Sequence, residues 1–129
     1  MISFGFAFED WSRGTRLYYT HTLDFIKFFD VDTLLELKDS SAADPNRLID
    51  SIDSDIIEFK GDYYMFFKNE EETRVYVTKS KSGKPSGPYY DDITADSDNL
   101  YQVSRNDLLF EGPAAYQIDG TDTLSLIHI

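Results

Sequence analysis

The chain has 129 residues, 41% hydrophobic and 16% aromatic, which is enough for one packed domain and unlike a disordered segment. Its 24 acidic residues against 12 basic ones give a net charge of −12, which repels nucleic acid and anionic membrane surfaces. With no cysteine, disulfides, thiolate metal sites and cysteine nucleophiles are excluded, and no apolar run approaches the length of a membrane span.

Taken in order, Phe4 to Phe8 alternates like a short strand, and Thr15 to Thr22 predicts a second one after a Ser12-Arg13-Gly14 turn, the two forming a hairpin. Leu34 to Leu37 is too short an apolar run to assign. Asp39 to Asn46 is rich in turn residues and leads into the central stretch, Ile52 to Glu70. There, Ile56 to Phe59 and Tyr63 to Phe67 flank Lys60-Gly61-Asp62, the signature of a β-hairpin. Asp53 and Asp55 stand just before the first of these strands, and strict period-two alternation predicts that both point to one face. Thr73 to Ser80 predicts a third strand of the same sheet, followed by a polar loop, Lys81 to Ser86, that closes on Gly87-Pro88-Tyr89-Tyr90.

An internal repeat runs through these elements. Thr15, Arg16, Tyr18 and Thr20 match Thr73, Arg74, Tyr76 and Thr78 at an offset of 58 residues, and the same offset carries Asp53 onto Glu111. Each acid is followed by an apolar run and a glycine, Gly61 or Gly120, as in radially repeated sheets that begin alike.

An acidic Ile52-Asp53-Ser54-Asp55-Ile56-Ile57 entrance, a glycine turn, the Tyr63-Tyr64 strand, a Gly87-Pro88-Tyr89 closure and Glu111-Gly112-Pro113 occur in that order. In this the chain resembles the five-bladed β-propellers of glycoside hydrolase family 43. The resemblance implies an all-β fragment of such a propeller over residues 1–123, about two blades plus the start of a third, truncated at both ends. It also implies an inverting glycosidase on plant cell-wall pentose glycans, of the α-L-arabinofuranosidase or β-xylosidase kind. In such enzymes a protonated carboxyl donates to the leaving oxygen while a separated carboxylate activates water, and a third carboxylate keeps the acid protonated. By resemblance Glu111 is the general acid and Asp53 the modulator of its pKa, with Asp55 the runner-up for the second role. Ser54 departs from the proline usual after the aspartate, and Asp50 adds a third carboxylate to choose from.

The general base that opens the first blade in this family has no counterpart here, since one repeat before Asp53 falls upstream of Met1. Asp10 and Asp24 follow the first aromatic strand and do not occupy that place. The isolated chain is therefore expected to be inactive. Two further readings stay open: a non-catalytic carbohydrate-binding propeller, and an invertase-like fructan hydrolase, which usually carries Glu-Cys where this chain has Glu111-Gly112.

No other constellation competes. His21 and His128 are isolated, which makes a transition-metal site a poor reading. Asp91, Asp92, Asp96 and Asp98 form an acidic loop without the glycine and final glutamate of an EF-hand, so it reads as solvated rather than as a calcium site. No cofactor is expected; structural calcium is compatible with a full-length propeller but has no place assigned here. Trp11, Tyr89 and Tyr90 could stack on sugar rings, although packing between sheets is the commoner use. The expected partner is an oligosaccharide or polysaccharide, with no nucleic acid, membrane or partner protein implied. Met1 is not followed by a signal-peptide pattern, which leaves the compartment undetermined. The last six residues, Leu124 to Ile129, are similar to the translation of a transposon-end adaptor, so 124–129 is expected to be a non-native tail.

Overall fold

A computed structural model of the chain describes residues 2–10, 14–29, 31–94, 97–103 and 111–127, with backbone only for 2–10. All regular structure among the described residues is β. The strands are β1 (Ile2–Asp10), β2 (Gly14–Thr22), β3 (Asp32–Leu35), β4 (Ser51–Phe59), β5 (Asp62–Asn69), β6 (Arg74–Lys79), β7 (Leu100–Gln102), β8 (Ala114–Gln117) and β9 (Leu124–Ile127). They form three antiparallel meanders in sequence order: β1-β2-β3, β4-β5-β6-β7 and β8-β9.

The central hairpin folds as its residues predict. Phe59 pairs with Asp62 across Lys60 and Gly61, whose φ values of 53° and 84° are those of a turn that matches the right-handed twist of the flanking strands. The alternation in β5 then has a consequence that one-sided sheets lack. Met65 and Phe67 join Leu17, Tyr19, Leu34, Leu35 and Tyr76 in one apolar cluster, while Phe66 joins Val75 and Val77 in another, against Ala115 and Leu126. The middle sheet is thus buried on both faces, by the first sheet on one side and by β8-β9 on the other. Its first strand, β4, lies against β1 and β2 on one side and β8 on the other.

The 58-residue repeat relates β2 to β6 and the start of β4 to the approach to β8, although Thr73 and Glu111 lie just outside the strands where Thr15 and Asp53 lie inside them. β2 and β6 each lie beside the last strand of their sheets, while β4 and β8 are both first strands leading into a hairpin. Leu124 to Ile127, part of the expected tail, pairs with β8 as β9.

Three differences from the sequence expectations have physical reasons. β3 and β7, four and three residues long, are too short for periodicity to reveal and exist through pairing with β2 and β6. β4 begins at Ser51 rather than at Ile56, because Ser51 and Ile52 pair with Asn69 and Lys68 despite the poor strand propensity of the aspartates that follow. The expectation that alternation puts Asp53 and Asp55 on one face fails. A bulge lies between Ile52 and Asp55, with Asp53 in the left-handed region at φ 53°, and an extra residue interrupts the period of two.

The first two sheets are stitched together at the start of β4. The Thr15 hydroxyl donates to the Ser51 carbonyl at 2.8 Å and accepts from the Ser51 N–H at 2.7 Å, both buried. Gly14 makes this approach feasible: at φ 87°, a Cβ there would lie 1.9 Å from the Leu48 carbonyl oxygen. Gly61 has a similar φ but open space around it. Gly61→Ala should therefore cost about 1 kcal/mol from backbone conformation alone, whereas Gly14→Ala should cost at least about 2 kcal/mol more through the added clash. Chemical denaturation of the two variants checks this; equal losses would show that the β2–β4 contact is not as close as described.

Candidate functional site

The site is built where β4, β5 and the entrance to β8 meet. Lys68 belongs to the alternating set Tyr64, Phe66, Lys68, whose apolar members face β8 and β9, and its side chain is only 1% exposed. The ammonium ends between two carboxylates, Glu70 at 2.5 Å and Glu111 at 3.0 Å. Glu70 Oε2 is itself buried, and the Lys68 ammonium is the partner that offsets its burial. Burial pulls the Lys68 pKa down, and the two carboxylates more than offset that, leaving it above the ordinary lysine value.

Glu111 precedes β8, is followed by Gly112 at φ 51° and a buried Pro113, and keeps its side chain two-thirds exposed (67%). Four residues on, the Ala115 N–H donates to Asp55 Oδ2 at 2.6 Å. The segment from Glu111 to Ala115 therefore runs along the bulge of β4, tied at one end to Lys68, the partner of Ile52, and at the other to Asp55. Asp53 lies between these two ties, exposed.

The structure thus brings the Glu111 entrance to the start of β4 through Lys68 and separates the two aspartates by environment. Asp55 is half-buried with one oxygen committed to a backbone N–H; Asp53 is exposed and has no such tie among the described residues. A bulge next to a cluster of charged groups re-aims a side chain without ending the strand, which is what sets Asp53 outward here. Asp50 contributes a backbone carbonyl to the Glu70 N–H, and its Oδ1 is buried without a hydrogen bond.

The remaining candidates lie elsewhere. Asp24 caps a turn, accepting from the N–H groups of Lys27 and Ile26 at 2.9 Å each, and these bonds hold its carboxyl below the usual range. Asp10 is on β1, opposite Gly14. His21 stacks on Phe29, ring centroids 4.3 Å apart, with Nδ1 buried and without a hydrogen bond. Asp91 pairs with Lys81 at 2.7 Å and Asp92 accepts from Thr94, and no group of three or more metal-ligating side chains converges among the described residues. Tyr89 is a core residue whose hydroxyl donates to the Pro85 carbonyl, and burial pushes its pKa up; Tyr90 is at the surface. Trp11, Asp96 and His128 lie outside the described residues.

Lys68 and Glu70 are the members of this cluster that the sequence reading passed over. The signal was present as a lysine at the end of a run whose neighbours on both faces are aromatic or aliphatic, a place where a charge is rarely buried without a partner.

Searches against protein-family models, curated proteins and solved structures found no match.

The two carboxylates should be separable by their effect on Lys68. Glu70→Gln or Glu111→Gln alone should each lower the Lys68 pKa, and the double variant should take it below the ordinary 10.5, because only the burial penalty then remains. The stabilising contribution of the ion pairs is present below that ordinary value and is lost as pH rises through the raised one. Side-chain NMR titration of the Lys68 ammonium measures all three; a double variant still titrating above 10.5 would mean that other groups compensate the charge.

Proposed function

We propose that the three sheets are successive blades of a propeller glycosidase of the family 43 kind, that Glu111 is its general acid and that Asp53 modulates the protonation of Glu111. The substrate class is plant cell-wall pentose glycan, cleaved with inversion. The observation that supports the reading most is the approach of the Glu111 entrance to the Asp53 bulge across neighbouring sheets, in the order and spacing that carry the family resemblance. Glu111 is exposed enough to reach a glycosidic oxygen, and Asp53 is a second carboxylate without a competing tie among the described residues.

In this mechanism the Glu111 carboxyl gives its proton to the leaving oxygen as the glycosidic bond breaks, while water attacks from the opposite face of the sugar. That water needs a separate carboxylate base, which in the family 43 kind opens the first blade. Asp53, by its negative charge, disfavours a second negative charge nearby and so favours the protonated acid.

A carbohydrate-binding propeller is the second reading. The ion pair of Glu111 with Lys68 is the observation in its favour, because a paired carboxylate accepts hydrogen bonds from sugar hydroxyls without any proton transfer.

Leaving-group dependence tests the proposal. The 129-residue chain alone should not turn over aryl arabinofuranosides or xylosides, for want of the base. In a protein that completes the ring, Glu111→Gln should slow substrates with poor leaving groups by roughly 10²–10⁴-fold and activated aryl glycosides far less, because protonation of the leaving oxygen is the step removed. Asp53→Asn should move the alkaline limb of the pH–rate profile downward. Equal slowing of both substrate types by Glu111→Gln would overturn the acid assignment, and binding of pentose oligosaccharides without hydrolysis would favour the second reading.

A further inference from the structure

A lysine with 1% of its side chain exposed is an expensive way to fill the seam between two sheets, where leucine or methionine would pack without desolvating a charge. Such a residue is retained more readily when its charge is used. Here the charge meets Glu111 directly, and it meets a second carboxylate that has no assigned part in the chemistry, Glu70.

A general acid must alternate between charged and neutral forms. If Glu111 were the only partner of Lys68, each protonation would leave a buried ammonium uncompensated, and the ion pair would resist the proton that catalysis requires. Glu70 removes this conflict. It stays against the ammonium at 2.5 Å when Glu111 becomes neutral, and because both carboxylates touch the same nitrogen they are near neighbours whose charges repel. The ammonium lies closer to Glu70 than to Glu111, 2.5 Å against 3.0 Å, which favours the negative charge on Glu70 and leaves the proton to Glu111.

We propose that Lys68 and Glu70 are positioning residues for Glu111: Lys68, opposite Ile52, holds the carboxyl at the start of β4, and Glu70, as standing counter-ion, leaves Glu111 free to take up and give back a proton. This rests on the reading of Glu111 as the acid. It adds a second modulating carboxylate, supplied by β5 rather than by the strand entrance.

The test needs no sugar, which separates its failure from that of the parent reading. The carboxyl carbons of Glu111 and Glu70 are followed by NMR through an acid titration of the 129-residue chain and of its variants. In Glu70→Gln, Lys68 belongs wholly to Glu111 and the repelling neighbour is gone, so Glu111 should take up its proton at lower pH than in the unchanged chain, by roughly half a unit or more. In Lys68→Met the two carboxylates face each other without the cation, and the first proton should bind at higher pH. Glu70→Asp should restore most of the unchanged behaviour. If Glu70→Gln leaves the Glu111 titration where it was, Glu70 is not its counter-ion, and that outcome overturns the proposal. Because Glu70→Gln keeps the ammonium paired with Glu111, it remains informative even if Lys68→Met does not fold. If the shifts appear while Glu111→Gln slows both substrate types equally, the proton-holding device stands and the glycosidase reading falls.

Discussion

The burial of the middle sheet on both faces is the constraint on which the rest of the structure depends. In a sheet with one solvated face, every second residue is free to be polar; in β5 the consecutive residues Met65, Phe66 and Phe67 go alternately to two separate apolar clusters. Each such side chain contributes about 1.5–3 kcal/mol when removed from water, so the hairpin gains that stabilisation only if a neighbouring sheet is present on each side. β2 and β3 supply one neighbour and β8-β9 the other. The polar stitching follows this arrangement: Thr15 binds both backbone groups of Ser51 on one side of β4, and Asp55 binds Ala115 on the other.

Stacking a sheet between two others also decides where charged groups come together. The first strand of each sheet runs closest to its neighbours, so residues at the starts of β4 and β8 are brought near one another although 58 residues separate Asp53 from Glu111. The bulge refines that placement. Without it, Asp53 and Asp55 would share a face and compete for the same surroundings. With it, Asp55 becomes a clamp on the next sheet and Asp53 is turned outward, so two residues of one type, two positions apart, have different surroundings.

How much of this was legible follows from which interactions are local. The β4-β5 hairpin could be read because its signals lie within a dozen residues, in Lys60-Gly61-Asp62 and the aromatic runs beside it. The repeat could be read because Thr, Arg and Tyr recur in sequence around β2 and β6, whatever their neighbours in space. The bulge was not legible: it is a property of pairing between two strands, and nothing in Ile-Asp-Ser-Asp says which residue is the extra one. The Asp55–Ala115 tie joins residues 60 positions apart, and β7 is three residues that form a strand only because β6 offers an edge. Family resemblance reached Glu111 and Asp53, since both stand in recognisable strings. It could not reach the buried state of Lys68, which depends on two carboxylates, one of them 43 residues away in sequence.

Lys68 and the turn after β2 invert the usual distribution of polarity in opposite ways, and the same rule accounts for both. Lys68 is a charge placed inside, tolerated because Glu70 and Glu111 compensate it. In the turn, Leu23, Phe25, Ile26, Phe28 and Phe29 are apolar groups placed outside, Ile26 at 81% exposure, so burial cannot be what shapes the backbone there. Polar atoms shape it instead: Thr22 Oγ1 accepts from the Phe25 N–H, Asp24 Oδ1 accepts from Ile26 and Lys27, and the Thr20 hydroxyl donates to the Phe29 carbonyl. Hydropathy alone would have placed Lys68 in solvent and this turn in the core. What decides each position is whether every polar or charged group left without water finds a partner, and that accounting holds for the lysine between two acids as it does for the turn capped by Asp24.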